Sequence, residues 1–118
     1  EVSRGLVKLL RERKVADPAR LQPLYERITA VDPFDGEAHA ALGRLAMQRS
    51  DWDTAVRAFS AVVALKPVDQ AGAYTDLAES YLKSGRRAEA RKQVLAALEI
   101  APSYQRAQDL LLAIAESK

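Results

Sequence analysis

The chain has 118 residues, a formal net charge of +2, no cysteine and a single histidine, His39. These counts predict one domain covering residues 1–118 and exclude disulfides, a cysteine nucleophile, thiolate metal sites and histidine-pair metal sites. No run of about 18 apolar residues is present, so no membrane span is predicted. The composition of 22 alanines and 12 arginines, with 5 glycines and 5 prolines, favours helix. The fold class predicted is all-α.

In chain order, turn residues and apolar spacing predict about seven helices joined by short turns. Asp17-Pro18 supplies an N-cap followed by proline at the first helical position, and Pro23 is expected to kink that helix or delay its start. Gly85 suits the left-handed residue after a helix end. The predicted helices cover approximately residues 3–14, 18–31, 35–49, 52–65, 69–83 and 87–100, with a last one that starts at Pro102-Ser103.

An internal repeat underlies this order, because Pro33, Pro67 and Pro102 lie 34 and 35 residues apart. Aligning the prolines superimposes small residues, Gly43 on Ala78 and Ala55 on Ala90, and also Leu42 on Leu77, Phe59 on Val94 and Val62 on Ala97. Small residues at these places allow two antiparallel helices to approach closely. The spacing therefore predicts stacked helix pairs rather than a closed bundle.

These residues resemble the tetratricopeptide repeat, a helix–turn–helix unit of about 34 residues. The signature is matched by Leu42, Gly43, Ala55, Phe59 and Pro67 in residues 36–69, and by Tyr74, Leu77, Ala78, Tyr81, Gly85, Ala90, Ala97 and Pro102 in residues 71–102. His39 and Ala46 depart from it at aromatic positions, and Val62 at a small one. Residues 2–33 look like a degenerate first repeat, and residues 103–118 like a capping helix. The resemblance implies an α-solenoid.

No motif of catalysis or cofactor binding is found, so we expect no enzyme, no cofactor and no metal. His39 stands at a position that a packing aromatic usually occupies, and we expect a core or groove-edge histidine rather than a catalytic one. Asp51 and Asp53 beside Trp52 are interpreted as capping residues at a helix start. The basic clusters at residues 11–14 and 86–92 also contain or adjoin acidic residues, and a solvated surface is the favoured interpretation over nucleic-acid binding.

The resemblance implies that the first helix of each pair lines a concave groove for a peptide or partner protein. The expected groove residues are Glu37, Ala40, Arg44, Met47, Gln48, Thr75, Asp76, Glu79 and Lys83, with Arg106 and Asp109 as additions from the last helix. Arg44 and Glu79 stand where some relatives grip a peptide carboxylate with lysine and asparagine. A tail clamp of that kind is therefore not expected. A spacer without a peptide ligand is an open alternative.

The last helix has an apolar arc wider than one face, including Leu111 and Leu112. This pattern predicts contact with another domain or with a second copy of the chain. We interpret the chain, which opens at Glu1, as a fragment of a larger bacterial protein. An accessory repeat domain beside a peptidase-like or transferase-like domain is the alternative function. The sequence indicates no cellular compartment.

Overall fold

The computed structural model describes residues 17–116, and within this range the chain forms six α-helices and no β-strand. The all-α prediction is confirmed. The predicted helix at residues 3–14 lies outside the described residues. The helices are α1 (Pro18–Val31), α2 (Gly36–Gln48), α3 (Trp52–Ala64), α4 (Gln70–Lys83), α5 (Arg87–Ile100) and α6 (Gln105–Glu116).

Aspartate side chains begin the first four of these helices. Asp17, Asp35, Asp51 and Asp69 each accept a hydrogen bond from a backbone N–H in the first turn. Such caps satisfy amides that have no partner within the helix and place negative charge at the positive end of the helix dipole. The N-cap of α5 is Arg86, whose side chain makes no capping bond. Pro23 does not delay α1, which already starts at Pro18 and continues through it.

The turns within the helix pairs share one backbone conformation. Ser50, after α2, has a φ of 57°, and its counterpart Gly85, after α4, has a φ of 86°. The next N–H in each turn donates back across the helix end, from Asp51 to the Ala46 carbonyl and from Arg86 to the Tyr81 carbonyl, both at 2.8 Å. This left-handed C-terminal motif reverses the chain in a few residues. Adjacent helices are therefore antiparallel.

The helices stack in sequence order. Each helix packs against its neighbours in the chain, and α4 also contacts α6. Three hydrophobic clusters follow one another along this stack: one joins α1 and α2 with Ala58 of α3, the second joins α2, α3 and α4, and the third joins α4, α5 and α6. Contacts between neighbours, rather than one central core, define a solenoid. The predicted α-solenoid is thus the architecture observed.

Small residues lie where the helices of a pair meet. Ala55 and Ala90 have no exposed surface, as the repeat alignment predicts. At Gly43 an added Cβ would lie 2.7 Å from two ring carbons of Phe59. This separation is too short for a side chain, so glycine allows the Phe59 ring to fill the space between α2 and α3.

A buried glutamine connects α1 to the turn between α2 and α3. Gln22 is 3% exposed, and its amide group donates to the Asp51 carboxylate at 3.0 Å while accepting from the Arg49 guanidinium at 3.0 Å. Hydrogen bonds with Thr54 and then with Gln22 hold the pKa of Asp51 below its ordinary value of 3.8, against the opposing effect of burial. This network orients α1 on the first complete repeat.

Candidate protein-binding surface

Two adjacent clefts lie on the face formed by α2, α4 and α6, which we call the concave surface. Its first cleft has a volume of about 510 Å³ and lies where the N-terminal halves of α2 and α4 meet the end of α3. The volume is in the range of ligand pockets in proteins. Apolar residues and three carboxylates line it; they are Phe34, Gly36, Glu37, Ala40, Val62, Leu65, Pro67, Asp69, Gly72, Ala73 and Asp76.

A second cleft of about 480 Å³ lies between α4 and α6. Its residues are Glu79, Gln105, Arg106, Asp109, Leu110 and Ala113. Arg106 of α6 connects the two clefts, because its Nη2 lies 2.6 Å from Oδ1 of Asp76 and 3.5 Å from Oε1 of Glu79. Both carboxylates belong to α4. This bridge connects α6 to α4, in addition to their shared hydrophobic cluster.

The pKa of Arg106 is raised above its ordinary value. Partial burial acts to lower it, but hydrogen bonds with Asp76 and Tyr104 and the charges of Asp76 and Glu79 more than offset that effect. Arg106 therefore keeps its positive charge, and that charge is directed at the two carboxylates of this chain. A carboxylate of a ligand would have to compete with both of them.

The structure brings together about half of the residues predicted for the groove. Glu37, Ala40 and Asp76 line the first cleft, and Glu79, Arg106 and Asp109 line the second. Asp76 and Glu79, one turn apart on α4, thus line two different, adjacent clefts and not one continuous channel. Whether these residues bind a ligand stays a prediction.

Other predicted groove residues lie elsewhere. Arg44, Gln48 and Lys83 are exposed but line neither cleft. Met47 is half-buried and packs against the second hydrophobic cluster. Thr75 has no exposed surface, and its hydroxyl donates to the Ala71 carbonyl at 2.7 Å. The prediction that Thr75 lines an open groove is wrong, because the residue is fully buried and its hydroxyl is bonded to its own helix.

Several cleft residues come from outside the first helices of the repeats, and the sequence analysis did not identify them. Phe34 follows Pro33 and is 80% exposed, while Leu65, Pro67 and Asp69 come from the end of α3 and the turn before α4. The sequence does carry a signal at these turns, because Phe34 and Val68 are both apolar residues directly after a repeat proline. In the pattern alone they are indistinguishable from ordinary turn residues.

His39 has a local structural contact. Its Nε2 lies 2.8 Å from the Pro33 carbonyl oxygen, to which the ring must donate because a carbonyl only accepts. Among residues 17–116, no group of three or more histidine, cysteine, aspartate or glutamate side chains is placed to hold a metal ion. No helix in that range is both long enough and apolar enough to cross a membrane.

The family follows from this architecture. The sequence profile of the tetratricopeptide repeat matches residues 10–70 and again residues 41–105. Together the two matches cover most of the chain, and their offset reproduces the repeat seen in the helix pairs. The chain belongs to the tetratricopeptide repeat family. The comparison with curated proteins found no significant match.

Solved structures share the fold at low identity. The Yersinia enterocolitica type III secretion chaperone SycD, in complex with a peptide of the translocator YopD, has a TM-score of 0.76 and 18% identity, over 94% of this chain and 88% of SycD. The first repeat domain of Spaghetti (RPAP3), bound to the HSP90 peptide SRMEEVD, has a TM-score of 0.78 and 16% identity, over 98% and 89%. At these identities, both similarities show a shared fold.

A third similar structure belongs to an enzyme. The O-GlcNAc transferase of Thermobaculum terrenum, as a K341M mutant, has a TM-score of 0.73 and 24% identity. The match covers 95% of this chain but 22% of the transferase chain. The same fold therefore also occurs as a small part of a much longer chain.

Proposed function

We propose that this chain is a non-catalytic protein-interaction module that binds a peptide or partner protein on its concave surface. The observation that supports this most directly is the pair of adjacent clefts on α2, α4 and α6. They combine apolar lining with polar groups, which is the usual make-up of a recognition site. The SycD and RPAP3 structures, each of which is a complex with a peptide, support the same function.

The mechanism would be complementarity of shape and charge without bond chemistry. The apolar lining of the first cleft would bury a hydrophobic side chain, and the carboxylates of both clefts would fix the register of the bound segment. Because the helices are held by neighbour contacts, the surface is largely formed before binding, which reduces the entropy cost of association.

A random peptide library displayed on phage and panned on the immobilised chain tests this function. We expect enrichment of clones that bind wild type but not Ala40→Trp, which fills the first cleft. Glu99→Gln on α5 is the control, because this exposed residue lines neither cleft. Circular dichroism would verify that each variant is folded. Absence of enrichment, or clones that bind the cleft variant equally, would refute the proposal.

A second candidate function is an accessory repeat domain that packs against a catalytic domain of the same longer chain. Leu112 of α6 is 61% exposed, whereas Leu111 packs against the third hydrophobic cluster. The transferase structure, in which the same fold is a small part of a longer chain, favours this arrangement. If it is right, Leu112→Glu weakens binding of a separately expressed neighbouring domain, and Ala40→Trp does not. The reverse result would exclude it.

A further inference from the structure

Helix α6 carries the apolar pattern of α2, which is the first helix of the first complete repeat. Counted from the repeat prolines Pro33 and Pro102, five apolar or small residues of α2 have counterparts at the same distance in α6. The pairs are Ala38 and Ala107, Leu42 and Leu111, Gly43 and Leu112, Leu45 and Ile114, and Ala46 and Ala115. The pattern therefore predicts that α6 packs as a first helix of a repeat does.

The side of α6 that faces the preceding repeat is buried as the corresponding side of α2 is. Ala107 and Ile114 are 0% and 3% exposed and belong to the third hydrophobic cluster, with α4 and α5. Their counterparts Ala38 and Leu45 are buried in the first cluster, with α1. The correspondence between α2 and α6 thus holds in the packing as well as in the sequence.

The other side of α6 is open, whereas the corresponding side of α2 is covered. On α2, Gly43 lies against the Phe59 ring of α3, and Ala46 is fully buried in the second cluster. On α6, Leu112 is 61% exposed and Ala115 is exposed too. We call the side with Leu112 and Ala115 the end face. A helix that only caps a solenoid has polar residues on its outer side, and these two are apolar.

The sizes of the paired residues indicate what fits the end face. Where α3 covers α2, glycine at position 43 faces the large ring of Phe59. Where α5 covers α4, Ala78 occupies the place of glycine and the smaller Val94 that of phenylalanine, and both are fully buried. A larger residue on the first helix is thus matched by a smaller one on the second. Leu112 is larger again, so its counterpart must be alanine or glycine.

We infer that the end face binds an amphipathic α-helix of a partner protein, antiparallel to α6, that places alanine or glycine opposite Leu112. This contact continues the interface that α3 forms on α2 and α5 forms on α4. Neither Leu112 nor Ala115 lines a cleft of the concave surface. The inference therefore goes beyond the proposed function, and for the accessory-domain alternative it specifies the element that makes the contact.

Fluorescence anisotropy with three labelled peptides and the full chain tests the inference. Each peptide has the sequence of residues 86–100, which includes α5, either unchanged or with Val94→Ala or Val94→Phe. A lactam bridge between two outward positions holds the peptides helical, so that little ordering is needed on binding. We expect the alanine peptide to bind tightest and the phenylalanine peptide at least about ten-fold more weakly, because a large ring opposite Leu112 is overpacked.

Two variants of the chain locate the contact. Leu112→Glu should weaken binding of the alanine peptide at least about ten-fold. Val68→Glu is the matched control, since it makes a similar exchange at a fully exposed residue in the turn before α4, and it should leave the affinity unchanged. Ala115→Leu should weaken binding although it adds apolar surface, because a larger side chain holds two helices apart. Circular dichroism would verify that the variants are folded.

The outcomes that would overturn the inference are specific. Absence of binding by all three peptides, equal binding to Leu112→Glu, or tighter binding to Ala115→Leu would show that the end face does not pack against a helix in this way. A dimer in sedimentation equilibrium that Leu112→Glu dissociates would assign the face to a second copy of the chain. Ala40→Trp, which fills the first cleft, should leave the peptide affinity unchanged. Loss of binding in Ala40→Trp would place the peptide on the concave surface instead, so this inference and the proposed function fail on different variants.

Discussion

Gly43 of α2 faces the ring of Phe59 on α3 so closely that a single added carbon would stand 2.7 Å from two ring atoms. In the following repeat the equivalent positions are Ala78 and Val94, and both are fully buried. The two repeats thus fill the same interhelical space in different ways. One uses glycine and a large ring, and the other uses alanine and valine. Total volume, rather than residue identity, is what the contact requires.

This relationship predicts a compensating pair of substitutions. Gly43→Ala should destabilise the protein by about 1–2 kcal/mol, because overpacking outweighs the helix propensity that alanine gains. Phe59→Val should leave a cavity and also destabilise. The double variant copies the second repeat and should be more stable than the sum of the single changes indicates. Urea denaturation in a double-mutant cycle measures the coupling, and strict additivity would contradict this packing relationship.

The left-handed turn residue Ser50 predicts a stabilising change. Its φ of 57° is costly for a residue with a Cβ, and glycine at position 50 should raise the free energy of unfolding by about 0.5–1 kcal/mol. The reciprocal change, Gly85→Ser, should lower it by a similar amount. At Gly85 an added Cβ has no neighbour within 4 Å, so only backbone strain contributes there. Thermal denaturation of both variants should show shifts of opposite sign.

The buried glutamine predicts a coupled effect on stability and pH dependence. Gln22→Met keeps the approximate volume but removes the hydrogen bonds to Asp51 and Arg49, at an expected cost of about 1–2 kcal/mol. Gln48→Met, on the exposed face of α2, is the matched control and should have little effect. Equal stability of the two variants would show that the network does not stabilise α1.

The sign of the pH effect follows from Asp51. Its pKa is lowered in the folded protein, so its contribution to stability is present above the unfolded value of 3.8 and is lost as the pH falls through the lower, folded value. Wild type should therefore lose stability between about pH 5 and about pH 2. Gln22→Met should lose less over that interval, because one of the bonds that lowers the pKa is gone. Urea titrations at several pH values test this.

The uncapped start of α5 predicts a second stabilising change. Arg86→Ser supplies a hydroxyl that can accept from the first-turn amides, which is worth about 0.5–1 kcal/mol. It removes an exposed ion pair with Asp53 at 3.7 Å and a contact between the guanidinium and the Tyr81 ring at 5.9 Å, and both are weak. Arg87→Ser, one residue inside the helix, is the control. A melting temperature no higher than that of the control would contradict the capping argument.

The sequence predicted the helices and the repeat because both depend on local or periodic features. Three kinds of residue mark the repeat, and each has a direct role in the fold. They are the aspartate caps, the prolines at positions 33, 67 and 102, and the small residues at positions 43, 55, 78 and 90. The repeat then fixes the stacking, since each helix pair can bury its apolar face only against its neighbours. For this reason the all-α solenoid could be predicted without coordinates.

The tertiary structure decided the character of the candidate site. The sequence identified the helices that form the concave surface, but it assigned Thr75 to the open groove and did not identify Phe34, Leu65 and Asp69 as parts of a cleft. It also did not indicate that Arg106 pairs with Asp76 and Glu79 of the same chain. Helical periodicity specifies which face a residue occupies. Which side chains from three different helices meet around one cavity depends on the distances between helices, and those are set by packing.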